Sequence, residues 1–434
     1  MVRPGDRDDE VGRRRLGGCL LGVLQNRSFL AIWLAQLISS LGDYFYWLAM
    51  PLTILKLTGS TVAMGTALIS LALPALLLGP IAGVMVDRWD RRQTMLASNL
   101  GRGLVVLLCL AVQSPEQVWI FYLVGALDST CGVFFFPARN AAVPLVVEEQ
   151  ELTAANGLLQ VTMTVSMIAG AGLAGVAIQL LGLSFAFATD AAAYALATVF
   201  VSLATVPRTT AGRAATAAHP VRAVAAEMHE GLRYITASRT LVGVLACNVV
   251  LQLGLGALNV VWVPFMQRTF GVGPAGLGAV DAAQGVGMAA GGIVVGHLAL
   301  WFRKVTLVGG GLAWAGLMLV LIGTSPGFGW VILWAGLAGL ALPPIMASLT
   351  TITQVVVPDL KRGRVGALMG SLATAASIFS MVAAGLAGER VDLRWIYSAT
   401  GLLIALSGAV SLVAVEEPAG MVQEGGPLAA AEEG

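Results

Sequence analysis

GVMVDRWDRRQTM, residues 83–95, lies between two long apolar runs and carries Asp87, Arg88, Asp90, Arg91 and Arg92. Charged residues make up only 11% of the 434-residue chain, so this cluster marks a short passage through water between two stretches that avoid it. The rest of the composition agrees. Hydrophobic residues are 57% of the chain and the mean hydropathy is +0.83, more apolar surface than a soluble domain can hide. Lipid is therefore the expected solvent for most of the molecule. A formal net charge of +1 says nothing about nucleic acid, and with no basic stripe interleaved with aromatics no nucleic-acid partner is expected.

A helix needs about 20 apolar residues to cross the hydrocarbon core. By that ruler the sequence predicts twelve transmembrane helices. The first six are Phe29–Leu55, Val62–Val86, Thr94–Val112, Val118–Arg139, Thr153–Leu180 and Leu183–Val206. The second six are Leu241–Phe265, Leu277–Leu300, Val305–Thr324, Gly329–Val355, Val365–Gly388 and Trp395–Val415. The fold class is thus an all-α membrane protein of two six-helix bundles, 29–206 and 241–415. A polar central loop, 207–240, joins them, with a short helix expected around Val221–Ile235. Residues 1–28 read as a basic tail and 416–434 as an acidic, solvated one. Arg13-Arg14-Arg15 before Leu16-Gly17-Gly18-Cys19 mimics a signal peptide, but the apolar stretch is short and runs past the cysteine. Cys109, Cys131 and Cys247 lie in apolar runs and read as reduced packing residues, with no disulfide or zinc spacing.

Lys and Arg alternate between loops. One set holds Arg88/Arg91/Arg92, the arginines of the central loop, Arg303/Lys304 and Lys361/Arg362/Arg364. The other has only Lys56, Arg268, Arg390 and Arg394. The positive-inside rule then puts both termini and the central loop in the cytoplasm of a multi-pass protein of the inner membrane, with bacterial arginine-rich usage. A shift of about 212 residues lays Trp89-Asp90-Arg91-Arg92 on Trp301-Phe302-Arg303-Lys304 and Gly79 on Gly291, with Pro51 within one residue of Pro264. Duplicated halves around a cavity are a transporter architecture.

The opening stretch resembles the loop between spans 2 and 3 of the major facilitator superfamily, G-x-L-a-D-R-x-G-R-[RK]. Gly83, Asp87, Arg88, Arg91 and Arg92 match; Met85 replaces Leu and Asp90 the second Gly. Phe136-Pro137-Ala138-Arg139-Asn140-Ala141-Ala142-Val143-Pro144, then Leu152-Thr153-Ala154-Ala155-Asn156, and Val357-Pro358-Asp359-Leu360-Lys361-Arg362-Gly363-Arg364-Val365 resemble the drug:proton antiporter-3 branch, which includes macrolide-efflux-like and siderophore-exporter-like proteins. The resemblance implies that Gly83, Asp87, Arg88, Arg91 and Arg92, with Arg364 at the start of span 11, latch the halves together when the cavity opens outward. Read physically, Gly83 permits close helix approach and Asp87 can face a helix's positive end. A plain topology anchor would need the positive charge alone. In the second half Ala299 takes the Asp place. Two departures stand out: Gly170-Ala171-Gly172-Leu173-Ala174-Gly175 lacks the proline of the G-P-x-x-G-G pattern, and Asp128 lies near the place of a mid-membrane Arg.

Ionisable residues inside spans are costly and mark function or a compensating pair. Asp43, Tyr46, Trp47 and Met50 share a helical face at i, i+3, i+4 and i+7, an acid beside rings and a pliable thioether. The resemblance puts spans 1 and 4 on the cavity, so Asp43 and Asp128 are the expected proton-coupling acids. An acid there can carry a proton, and protonation can compete with cargo. Arg102 and Asp190 are expected to form a structural ion pair, with Asp128 as an alternative partner for Arg102. Asp281 is a gate or a solvated rim residue. From the second half Asn248, Gln252, Asn259, Trp262 and Gln284 can bond a substrate or bind helix to helix.

No phosphate loop, HExxH motif or nucleophile elbow occurs, so neither an enzyme nor an ATP-driven pump is expected, and no cofactor or metal is implied. The leading reading is a monomeric secondary transporter, bathed in membrane lipids, exporting small amphiphilic compounds (drug, antibiotic or siderophore-like) against protons in multidrug resistance. A lysophospholipid transporter of the same fold and a non-transporting membrane sensor are the alternatives.

Overall fold

The computed structural model describes residues 22–207 and 220–414. The expected tails, apart from 22–28, and the first part of the central loop lie outside the described residues. Six helices build the first half: α1 Arg27–Thr58, α2 Thr61–Val86, α3 Arg91–Val106, α4 Trp119–Val146, α5 Leu152–Leu181 and α6 Leu183–Leu203. A 3-10 stretch, Leu107–Ala111, prolongs α3. The linker helix α7, Pro220–Thr236, leads to α8 Arg239–Phe270, α9 Pro274–Trp301, α10 Lys304–Gly323, α11 Phe328–Gly339, α12 Leu342–Val356, α13 Asp359–Ala387 and α14 Leu393–Ala414. α11 and α12 are one span, broken at Leu340–Ala341.

Local chemistry sets the ends and exposes the duplication. Asn26 caps α1, its side chain accepting from the backbone N–H of Ser28 and Phe29 at 3.1 Å. Ser238 caps α8 in the same way through Leu241. Both helices run 32 residues and both stop at a left-handed glycine, Gly59 at φ 65° and Gly271 at φ 64°. The caps, starts and stops are all offset by the same 212-residue shift that aligns the sequence.

Eleven segments among the described residues are long and apolar enough to cross a bilayer. α1, the remaining expected span, is as long but less apolar, because Gln36, Ser39, Ser40 and Asp43 dilute it. α1 packs on α5 and α6, and α4 on α2 and α3; α8 packs on α13 and α14, α10 on α14, and α9 on α11. Two seams join the halves, α2 against α13 and α5 against α9.

The hydrophobic cores reveal how the halves meet. We call the side bearing the α2–α3 and α9–α10 loops the basic face and the opposite side the far face. Toward the far face one core runs through both halves, including Ile54 and Met64 with Val260 and Met381. Toward the basic face each half keeps its own core: Ile32, Met95 and Phe135 in the first, Leu241, Ile345 and Val365 in the second. The seams repeat this pattern. Thr61 Oγ1 donates to Gly385 O at 2.8 Å, and a Cβ on Gly278 would lie 2.3 Å from Ala171 O. A Cβ on Gly79, Gly157, Gly296 or Gly370, in the basic-face halves of the same four helices, would meet nothing within 4 Å. The molecule is shut at the far face and splayed at the basic face.

Candidate functional site

Between the splayed halves lies a crevice of about 630 Å³. From the first half Asp43, Tyr44, Trp47, Arg102, Asp128 and Met163 line it; from the second, Asn259, Trp262, Asp281, Gln284 and Tyr397. The volume suits a drug-sized ligand.

One wall is a charge cluster. Arg102 of α3 donates from Nε to Asp128 Oδ1 at 2.8 Å and from Nη2 to Asp128 Oδ2 at 3.1 Å, a fork-to-fork pair. The same Nη2 reaches Asp43 Oδ1 at 3.2 Å. Tyr194 of α6 donates its hydroxyl to that Asp43 oxygen, and its ring lies 4.5 Å beneath the guanidinium. Gly132 on α4 leaves space for the guanidinium, its Cβ position 3.9 Å from Arg102 Cζ. Burial grades the acids: the Asp128 side chain is 8% exposed and that of Asp43 41%. Asp128 therefore holds the arginine, and Asp43 faces the crevice.

Asp190 makes no ion pair with Arg102, contrary to the sequence expectation. It is 1% exposed, its Oδ1 has no hydrogen-bond partner, and it lies under α1, 2.8 Å from where Gly42 would carry a Cβ. Arg102 turns instead to α1 and α4, whose two acids face it from the cavity side. The cluster thus holds two carboxylates, Asp43 and Asp128, on one guanidinium, with the buried Asp190 beside it.

The other expected cavity residues divide. Trp47 is 38% exposed on the crevice, and Asn259, Trp262 and Gln284 line it. Tyr46 touches it but is 6% exposed and packs edge-on against Phe187. Met50 does not line it: the residue is fully buried in the shared core, turned away from the stripe of Asp43, Tyr44, Trp47, Leu48 and Pro51 that faces the crevice. Gln252 also lies outside the lining, about two turns from Asn259 toward the basic face.

The sequence reading missed Tyr194 and Tyr397, and it left Asp281 as a gate or a solvated rim residue, where the structure puts it in the crevice lining. Tyr194 sits one turn after Asp190, an i, i+4 spacing that could have placed both on one face. Asp281 precedes the expected Gln284 by three residues, and the same rule could have moved it from rim to cavity. Tyr397 carried no signal in its own stretch.

The opening motif sits at the basic face. Asp90 replaces the family glycine as the N-cap of α3, accepting from Gln93 N at 2.9 Å. Trp89 packs on Phe134, and Arg92 donates to the Ser202 carbonyl. Asp87 and Arg88 are exposed, and Asp87 makes no ion pair among the described residues. Gly83 makes no close helix approach here, since a Cβ there would meet nothing within 4 Å. Arg364 donates to Glu230 of α7 at 2.5 Å, and Lys361 joins the same carboxylate at 3.5 Å. Arg364 is thus engaged by the linker helix, and among the described residues no ion pair joins it to Asp87.

Comparison with known proteins places this geometry. The MFS-type transporter YfiS of Bacillus subtilis (strain 168) is 27% identical over 89% of this chain and 93% of its own. Macrolide efflux protein A of Streptococcus pyogenes is 24% identical over 87% and 93%. The multidrug efflux pump Tap of Mycolicibacterium fortuitum is 25% identical over 88% and 94%. Among solved structures, nucleoside transporter NupG superposes with a TM-score of 0.74 at 11% identity, covering 89% of this chain and 100% of that one. A bacterial homologue of the iron transporter ferroportin in an inward-facing state gives 0.72 at 14%, covering 89% and 98%. The pattern of the Major Facilitator Superfamily matches residues 32–251 and again 244–431. With two duplicated helical halves meeting over a central crevice, this chain belongs to the Major Facilitator Superfamily.

Proposed function

We propose that the protein is a proton-coupled exporter of small amphiphilic compounds, working in a bacterial inner membrane with its basic face in the cytoplasm. The observation that carries this reading is the Asp43–Arg102–Asp128–Tyr194 cluster on the wall of a crevice shut at one end. The names of the relatives, macrolide and multidrug efflux, support export. The positive-inside rule supports the orientation, which makes the present conformation inward-open.

Alternating access then follows from chemistry at Asp43. Cargo enters the crevice from the cytoplasm and a proton leaves Asp43. The loaded molecule rocks, its far-face seams part, and Asp87 meets the Arg364 end of α13. Cargo leaves, Asp43 takes a proton from outside, and the neutralised cluster returns. Arg102 keeps Asp128 throughout, so the cluster stays assembled while Asp43 changes partner. Conformations differ by which ligand each favours, the minimum for antiport.

The test is efflux of a panel of dyes and drugs from cells, with and without a protonophore. Export that collapses with the protonophore supports the reading. Export that persists unchanged removes proton coupling.

A further inference from the structure

We propose that Asp281 is the residue that binds the positively charged group of the cargo, and that the cargo class is a drug-sized amphiphilic monocation. The inference rests on the crevice being the cargo site. It adds a specific anchor in the second half, away from the cluster assigned to protons.

The charge balance of the crevice comes first. Its lining carries three carboxylates, Asp43, Asp128 and Asp281, and one guanidinium, Arg102, which is held by the first two. Asp281 has no ion pair and no hydrogen bond to its carboxylate among the described residues. An anion without a partner, in a crevice that closes during each cycle, is costly to desolvate. A cationic cargo supplies the missing partner. An anionic cargo would meet three carboxylates and no free cation.

The surroundings specify the rest. Tyr44 and Tyr397 lie within electrostatic reach of Asp281. Trp47, Trp262 and Met163 complete a wall of rings and a polarizable sulfur in the same crevice. Rings attract an ammonium or phosphonium group through their faces, and they bury the apolar body of the same molecule. Gln284, one turn on from Asp281 on α9, adds a neutral hydrogen-bonding group and no competing charge. About 630 Å³ is room for one such molecule. A lone carboxylate with aromatic walls suits a diffuse organic cation better than a metal ion, which needs several oxygen ligands.

The experiment is equilibrium binding to the purified full-length protein at one pH with no gradient. The probes are tetraphenylphosphonium, a permanent cation, and triphenylphosphine oxide, a neutral molecule of similar shape. Asp281→Asn should weaken tetraphenylphosphonium at least about tenfold and leave triphenylphosphine oxide within about twofold. Asp281→Glu should restore the cation to within about threefold of the native protein. Unchanged cation binding by Asp281→Asn, or equal loss of both probes, overturns the inference while leaving the crevice as a cargo site. Failure of the native protein to bind either probe overturns the crevice reading and the inference with it.

Discussion

The two halves share a scaffold and differ in chemistry. The 212-residue shift that superposes the ends of α1 on those of α8 puts Leu255 and Trp314 where the first half has Asp43 and Arg102. Conversely, Ile69 stands where the second half has Asp281. Where Arg102 ties α3 to α4 through a carboxylate, Trp314 ties α10 to α11 by donating Nε1–H to Leu337 O at 2.8 Å. The bridge survives and the charge does not. Duplication supplies two rigid walls with one geometry, and divergence then gives each wall its own task. In our account protons belong to the first and cargo to the second.

That division can be broken most forcefully at its hub. Arg102→Ala leaves Asp128 buried without its partner, a loss of about 3–5 kcal/mol for a pair of this kind. A marked fall in melting temperature of the purified protein is expected. The counterpart Trp314→Phe removes one neutral hydrogen bond, worth about 0.5–1.5 kcal/mol, and should shift melting far less. Equal shifts would erase the contrast. Next comes Asp43→Asn, which should cut gradient-driven export about a hundredfold, or about 2.7 kcal/mol, with expression intact. Undiminished export removes Asp43 from the mechanism.

Much of the fold was legible before any coordinates. Span length and the repeat made the helices legible, because lipid forces every backbone polar group into a helix and leaves hydropathy as the signal. The site was legible only in part. Asp43, Trp47 and Trp262 announced themselves as polar or aromatic residues in apolar runs. The partner of Arg102 was left between Asp190 and Asp128, since α1, α3, α4 and α6 all carry polar candidates and only packing decides among them. Met50 failed for a different reason. Helical periodicity gives a stripe, and packing decides which of its edges meets the crevice: Pro51 lines it while Met50 turns into the shared core.

Smaller effects sharpen the contrast between the shut and splayed faces. Gly278→Val inserts side-chain atoms where a Cβ already falls 2.3 Å from Ala171 O, overpacking that costs about 1–3 kcal/mol in the shut state. A cysteine introduced at Trp262 should then become several times more reactive from the far face, and unaltered reactivity would show that this seam is not the gate. The smallest change is expected from Glu230→Gln. Glu230 and Arg364 are 45% and 39% exposed, so their pair is worth about 0.2–1 kcal/mol. Its loss removes one tie between Arg364 and the linker helix and should reduce basic-face reactivity of the same cysteine by about twofold to fivefold. An increase would contradict this role of the pair.

The separation of tasks is measured most directly in proteoliposomes that report internal pH while tetraphenylphosphonium is added. Native protein should move protons in the direction opposite to the cation. Asp281→Asn should lose this response because the cation no longer binds, and Asp43→Asn should bind the cation but move no protons. Proton movement by Asp43→Asn equal to that of the native protein would contradict the account.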